Sequence, residues 1–226
     1  MTLPPLLPLV PRVKVCCISS LEEARLAIEH GASALGLVSQ MPSGPGVIAE
    51  ELIAEIAARV PPPVATFLLT CRREADAIVA QHAVCATSTI QLVDAVEPAQ
   101  LQRLRRALPH VKLVQVIHVV GPASLDEALT AAPHVDALLL DSGNPALAVK
   151  ELGGTGRVHD WQLSRLIRDQ APVPVFLAGG LRASNVREAI EAVQPFGVDL
   201  CSGVRTHGRL CAEKLAQFMR AVYQAA

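Results

Sequence analysis

Short apolar runs alternate with amphipathic stretches along the whole chain. The runs 13–18, 34–38, 64–69, 87–93, 111–119, 136–141, 173–177 and 198–201 have strand length and are built largely from Val, Ile and Leu. Between them, apolar residues recur at helical spacing over 21–30, 49–60, 72–82, 98–108, 124–132, 161–170, 184–193 and 210–223. Local punctuation agrees with this division. Ser20 with Glu23, and Ser124 with Glu127, have capping-box spacing, and Asp160 reads as an N-cap. Gly31 and the run Pro61-Pro62-Pro63 stop two of the helices. Strands alternating with helices mean a parallel sheet, and eight such units favour an α/β fold closed as a single-domain (β/α)8 TIM barrel. An open doubly wound sheet is the runner-up, weakened because no Gly-x-Gly-x-x-Gly follows the first strand. No linker is long enough to split the chain, so one domain over 1–226 is expected, with 1–11 as a loose lead-in.

Composition sharpens this picture. Hydrophobic residues make up 51% of the 226 and charged residues 18%, which excludes a disordered chain. Aromatic content is only 3%, so the core must be aliphatic, as suits parallel strands under Ala/Leu-rich helices. A net charge of −1 without a long basic run excludes the electrostatic footprint of a nucleic-acid binder, and Arg103, Arg105 and Arg106 read as one solvated helix face. The six cysteines contain no Cys-x-x-Cys pair, and His82, His110, His118 and His134 show no ligand spacing, so no metal is expected. The apolar start carries four prolines and no positive n-region. It is too short to span a bilayer. A cytoplasmic, reduced setting and no membrane partner follow as expectations.

In a barrel, functional groups lie at the C-terminal ends of strands. Those ends carry Cys16 and Cys17, Asp141, Ala178-Gly179-Gly180, and Ser202-Gly203. The stretch after the sixth strand adds Gly153-Gly154-Thr155-Gly156, whose bare amides suit wrapping an anion. The loops after strands seven and eight are the usual phosphate site of this fold, and main-chain amides there need little cationic help. Ordinary tight turns would explain each glycine singly but not their clustering on one rim. Cys16 has two readings: a small core residue, or a base paired with an acid, Asp141, across the barrel mouth. The pair works only with the thiolate formed and the carboxyl protonated. A bound phosphate would favour the second condition and a cation such as Lys14 the first, although strand alternation can face Lys14 either way.

These motifs resemble one family. Lys14-Val15-Cys16-Cys17-Ile18-Ser19 is similar to the Lys-Ile-Cys-Gly-Ile-Thr opening of phosphoribosylanthranilate isomerases, the barrel enzymes of tryptophan biosynthesis. Leu139-Leu140-Asp141-Ser142, Gly153-Gly154-Thr155-Gly156, Asp160-Trp161, Leu177-Ala178-Gly179-Gly180-Leu181 and Ser202-Gly203-Val204 follow in the family's order. The resemblance implies an Amadori rearrangement of an aminoaldose phosphate to an aminoketose phosphate. It casts Asp141 as the acid that opens the sugar ring and Cys16 as the base that takes the C2 proton. Gly154, Gly180, Ser202 and Gly203 would hold the phosphate, and Lys14, Gln91 and Arg205 are candidate substrate contacts. It implies no cofactor, a phosphorylated small-molecule substrate, and a monomer or homodimer.

Four departures mark this chain. Cys17 stands where the family has Gly, and Ser43-Gly44-Pro45-Gly46 replaces a Ser-Pro-Arg stretch whose Arg meets the anthranilate carboxylate. Gln91-Leu92-Val93-Asp94 replaces Gln-Leu-His-Gly, and Arg205 replaces Glu after Ser202-Gly203-Val204. Losing a charge-assisted carboxylate contact would cost about 1.5–3 kcal/mol. Arg205 stands as a candidate substitute. Alternatives are an isomerase of a different aminoaldose phosphate, or a barrel that keeps only its phosphate grip.

Overall fold

The computed structural model describes residues 10–143 and 159–225. Eight parallel strands, β1 (Arg12–Val15), β2 (Ala34–Val38), β3 (Ala65–Thr70), β4 (Thr89–Leu92), β5 (Lys112–His118), β6 (Ala137–Asp141), β7 (Val175–Leu177) and β8 (Gly197–Leu200), form a closed barrel in sequence order. Closure rests on β8 pairing with β1, with Val13 opposite Val198 and Lys14 opposite Asp199. That pairing excludes the open sheet. Helices α1 (Leu21–Glu29), α2 (Glu50–Arg59), α3 (Ala75–Cys85), α4 (Pro98–Ala107), α5 (Ala123–Ala131), α6 (Trp161–Gln170), α7 (Val186–Val193) and α8 (Ala212–Tyr223) surround it. No described helix is long and apolar enough to cross a membrane.

The sequence signals act locally as read, with instructive exceptions. Ser20 accepts a hydrogen bond from the Glu23 amide and caps α1, and Asp160 accepts from the Gln162 and Leu163 amides at the start of α6. Ser124 does not cap α5. It lies inside the helix, and its hydroxyl accepts from the Val120 amide and donates to the His118 carbonyl. Helix α3 begins at Ala75 and not at Arg72, its first amide capped by the Gln100 side chain, and it closes on Ala86 in the left-handed region. A short 3-10 turn (Ser202–Val204) and a small hairpin, β9 (Arg205–Thr206) with β10 (Arg209–Leu210), follow β8 and were not apparent in the periodicity.

Two shells of apolar side chains result. Outward strand residues such as Val13, Leu35, Leu68 and Ile90 pack against helix residues such as Ile53, Ile56 and Phe218, all buried. Each such aliphatic or aromatic side chain contributes about 1.5–3 kcal/mol through burial. Inward residues form a smaller cluster inside the barrel, where Phe67, Phe176 and Phe196 meet edge to face. This inner packing is the floor of the site.

Candidate active site

Alternation on β1 and β8 sets the site. Val13, Val15, Val198 and Leu200 pack outward, which turns Lys14, Cys16 and Asp199 toward the barrel interior. Lys14 is wholly buried, with Nζ 2.8 Å from Asp199 Oδ1 and 5.4 Å above the Phe67 ring centroid. Burial alone would weaken its hold on the proton, but the Asp199 carboxylate reverses the sign and raises the ammonium's pKa. Cys16 sits one layer above, at the rim. A Cβ on Gly36 would lie 2.8 Å from Cys16 Sγ and 3.0 Å from Lys14 Nζ, so thiol and ammonium share one bare face of β2.

Asp141 ends β6, and its Oδ1 accepts from the Ser142 amide at 2.7 Å. Burial raises its pKa, and the Ser142 bond and the nearby His118 and Lys14 only partly oppose the rise. The carboxyl therefore holds a proton more readily than an ordinary aspartate. The Cys17 thiol is pushed strongly up by hydrogen bonds to Cys16 and Cys201 and by burial, so it stays a neutral thiol. Its φ of 63° lies in the left-handed region, which costs a residue with a Cβ about 1–2 kcal/mol.

Cys16, Gln91, Asp141, Gly180 and Ser202 line one cleft at the barrel mouth, closed on one side by Met41, Ser43, Gly44 and Pro45. Gln91 is 3% exposed, and its Oε1 has no partner among the described residues. The Gly180 turn is pinned by Asn185, whose Nδ2 donates to the Gly180 carbonyl and whose Oδ1 accepts from the Arg182 amide. Gly203 follows Ser202 and packs so closely on the Leu181 carbonyl that no side chain would fit. Gly154, with the rest of 153–156, lies outside the described residues.

Two expected substrate contacts do not line this cleft. Lys14 is spent on Asp199 inside the barrel, and the Arg205 guanidinium turns to Glu23 and to the carbonyls of Cys16 and Cys17. No Lys or Arg lines the cleft among the described residues, and these residues hold no group of side chains fit to bind a metal. The ion pairs of Asp199 with Lys14 and of Glu23 with Arg205 are not written in local spacing. The signal for Asp199 was available: if the first and last strands must pair, Val-Lys-Val and Val-Asp-Leu place the two charges opposite each other.

The family model described as N-(5'phosphoribosyl)anthranilate (PRA) isomerase matches residues 13–221. The N-(5'-phosphoribosyl)anthranilate isomerase of Halorubrum lacusprofundi is 36% identical over 210 residues, covering 92% of this chain and 94% of that protein. The crystal structure of phosphoribosyl anthranilate isomerase from Thermus thermophilus superposes with a TM-score of 0.80 at 27% identity, covering 95% of this chain and 100% of the other. A phosphoribosyl anthranilate isomerase crystallised with reduced 1-(o-carboxyphenylamino)-1-deoxyribulose 5-phosphate gives 0.76 at 27%, covering 95% of this chain and 99% of the other.

Proposed function

Since the chain belongs to the N-(5'-phosphoribosyl)anthranilate isomerase family, we propose that it converts this aminoaldose phosphate to the aminoketose phosphate of tryptophan biosynthesis, with Asp141 as acid and Cys16 as base. The observation that carries the role assignment is the cleft shared by a thiol and a carboxyl whose pKa burial has raised. A protonated Asp141 gives its proton to the ring oxygen as the C1–O bond breaks, leaving an iminium. The Cys16 thiolate then takes the C2 proton, the electron pair moves into C1–C2, and the enolamine tautomerises to the ketone. Gly180, Ser202 and Gly203 offer main-chain amides and a hydroxyl for the phosphate on the same rim, and Gly154 is assigned to that cradle on the sequence motif alone. Gln91, whose Oε1 has no partner among the described residues, is assigned to receive a substrate N–H or hydroxyl.

Turnover of phosphoribosylanthranilate, followed by the loss of anthranilate-type fluorescence, tests this reading. Asp141→Asn and Cys16→Ser should each abolish it, and full activity in either would remove that residue's role. One observation favours a second reading, an isomerase for an aminoaldose phosphate without the anthranilate acid: no cation lines the described cleft. Comparing turnover of the aniline and anthranilate analogues separates the two. The proposal carries a cytoplasmic setting and a monomer or homodimer, which light scattering resolves.

A further inference from the structure

The most heavily bonded cation near the thiol does not face the cleft. Arg205 Nη2 donates to the carbonyl oxygens of Cys16 at 3.2 Å and Cys17 at 2.5 Å. The same guanidinium reaches both Glu23 oxygens, at 2.9 Å from Nη1 and 3.1 Å from Nη2, and the Gly208 carbonyl at 2.9 Å. Glu23 in turn accepts from the Ser19 and Leu210 amides. A buried ion pair thus bolts the loop after β1 to the hairpin after β8, and its charged fork supplies more donors than a lysine could.

The loop it holds is a strained one. Cys17 is left-handed, its Cβ occupies the space a side chain on Gly46 would need, and its Sγ lies 2.7 Å from Cys201 Sγ. A left-handed residue turns the carbonyls before and after its Cα toward one side, and here both meet one guanidinium. The geometry joins positions 17 and 205 directly.

We propose that Arg205 is the positioning residue for the thiol base: by capturing the carbonyls of Cys16 and Cys17 it holds the left-handed turn that aims Cys16 into the cleft. This rests on the assignment of Cys16 as base. Arg205 touches no reacting atom, and its effect passes through the backbone.

The test is a cycle of Arg205→Lys, Cys17→Gly and the double variant. Arg205→Lys should lower kcat about tenfold with KM within about twofold, because a small misplacement of a reacting group costs rate more than binding. Cys17→Gly in that background should restore most of the loss, since glycine takes the turn unaided. A second readout does not depend on turnover: iodoacetamide labelling of Cys16, resolved by peptide mass spectrometry, should quicken about fivefold in Arg205→Lys as the turn opens locally, and fall back in the double variant. Unchanged labelling and kcat in a folded Arg205→Lys, or an equal loss with Cys or Gly at 17, would overturn the proposal. If Arg205→Lys does not fold, Glu23→Gln loosens the same guanidinium and carries the same expected directions. Should Cys16→Ser keep full turnover, the base assignment falls, while the labelling still decides whether Arg205 positions the thiol.

Discussion

Replacing Lys14 by Met leaves the Asp199 carboxylate inside the barrel with no counter-charge. Both partners are buried, with side-chain exposures of 0% and 8%, so water cannot substitute for the ammonium. Breaking such a pair costs about 3–5 kcal/mol. The carboxylate can escape by binding a proton, which bounds the charge penalty. Protonating an ordinary carboxyl at pH 7 costs about 3 pH units at about 1.36 kcal/mol each, or about 4 kcal/mol. At pH 5 the same bound is about 1.5 kcal/mol. The structure therefore demands a destabilisation that is large at neutral pH and shrinks in acid. Urea unfolding of both proteins at pH 7 and pH 5 measures it, and adding Asp199→Leu should recover much of the loss at pH 7. A penalty independent of pH, or one below about 1 kcal/mol at pH 7, would refute the claim that this charge is sealed from water.

Asp141→Asn should abolish turnover yet stabilise the fold at neutral pH. A carboxyl whose folded pKa is raised costs stability once the pH exceeds its unfolded value, so the gain should vanish as pH falls below the ordinary carboxylate range. Thermal melts across pH check the sign. Gly36→Ala drives a methyl against Cys16 Sγ and Lys14 Nζ; it should cost about 1–3 kcal/mol and slow turnover about tenfold, as melts and steady-state rates would show. Pro45→Arg puts a cation on the loop that closes the cleft and should lower KM for the anthranilate substrate about tenfold with kcat little changed.

The barrel and the pairing of Cys16 with Asp141 on one rim could be read from the chain because both follow from local periodicity. Strand ends lie on one side of a parallel barrel whatever the loops do. The cap at Asp160 was equally local. Ser124 was not, because its hydroxyl is drawn to His118 and Val120 by a turn that spacing does not encode. The direction of Lys14 depends on a partner 185 residues away and becomes visible only once β1 is required to pair with β8. The inward turn of Arg205 is not legible in the sequence, because the hairpin that carries it has strands of two residues, too short for any period to reveal.

The proposed acid and base are fixed to strand ends, whereas the 41–45 side of the cleft lies on a loop. Cys16 donates its amide to the Leu200 carbonyl at 2.8 Å, and the Asp141 carbonyl accepts from the Val119 amide at 2.9 Å, so each is anchored by ladder bonds at a strand end. Their separation is a property of the barrel. Ser43, Gly44 and Pro45 close one side of the cleft from a loop, whereas Val93 is buried in the inner cluster and its amide donates to the Thr70 carbonyl at 3.0 Å. A carboxylate contact on that loop, made equally in the ground and transition states, would act on KM and spare kcat. Arg205 is the exception that fits the rule. It too follows a strand, but its guanidinium grips the backbone of the thiol itself, so its replacement falls on kcat.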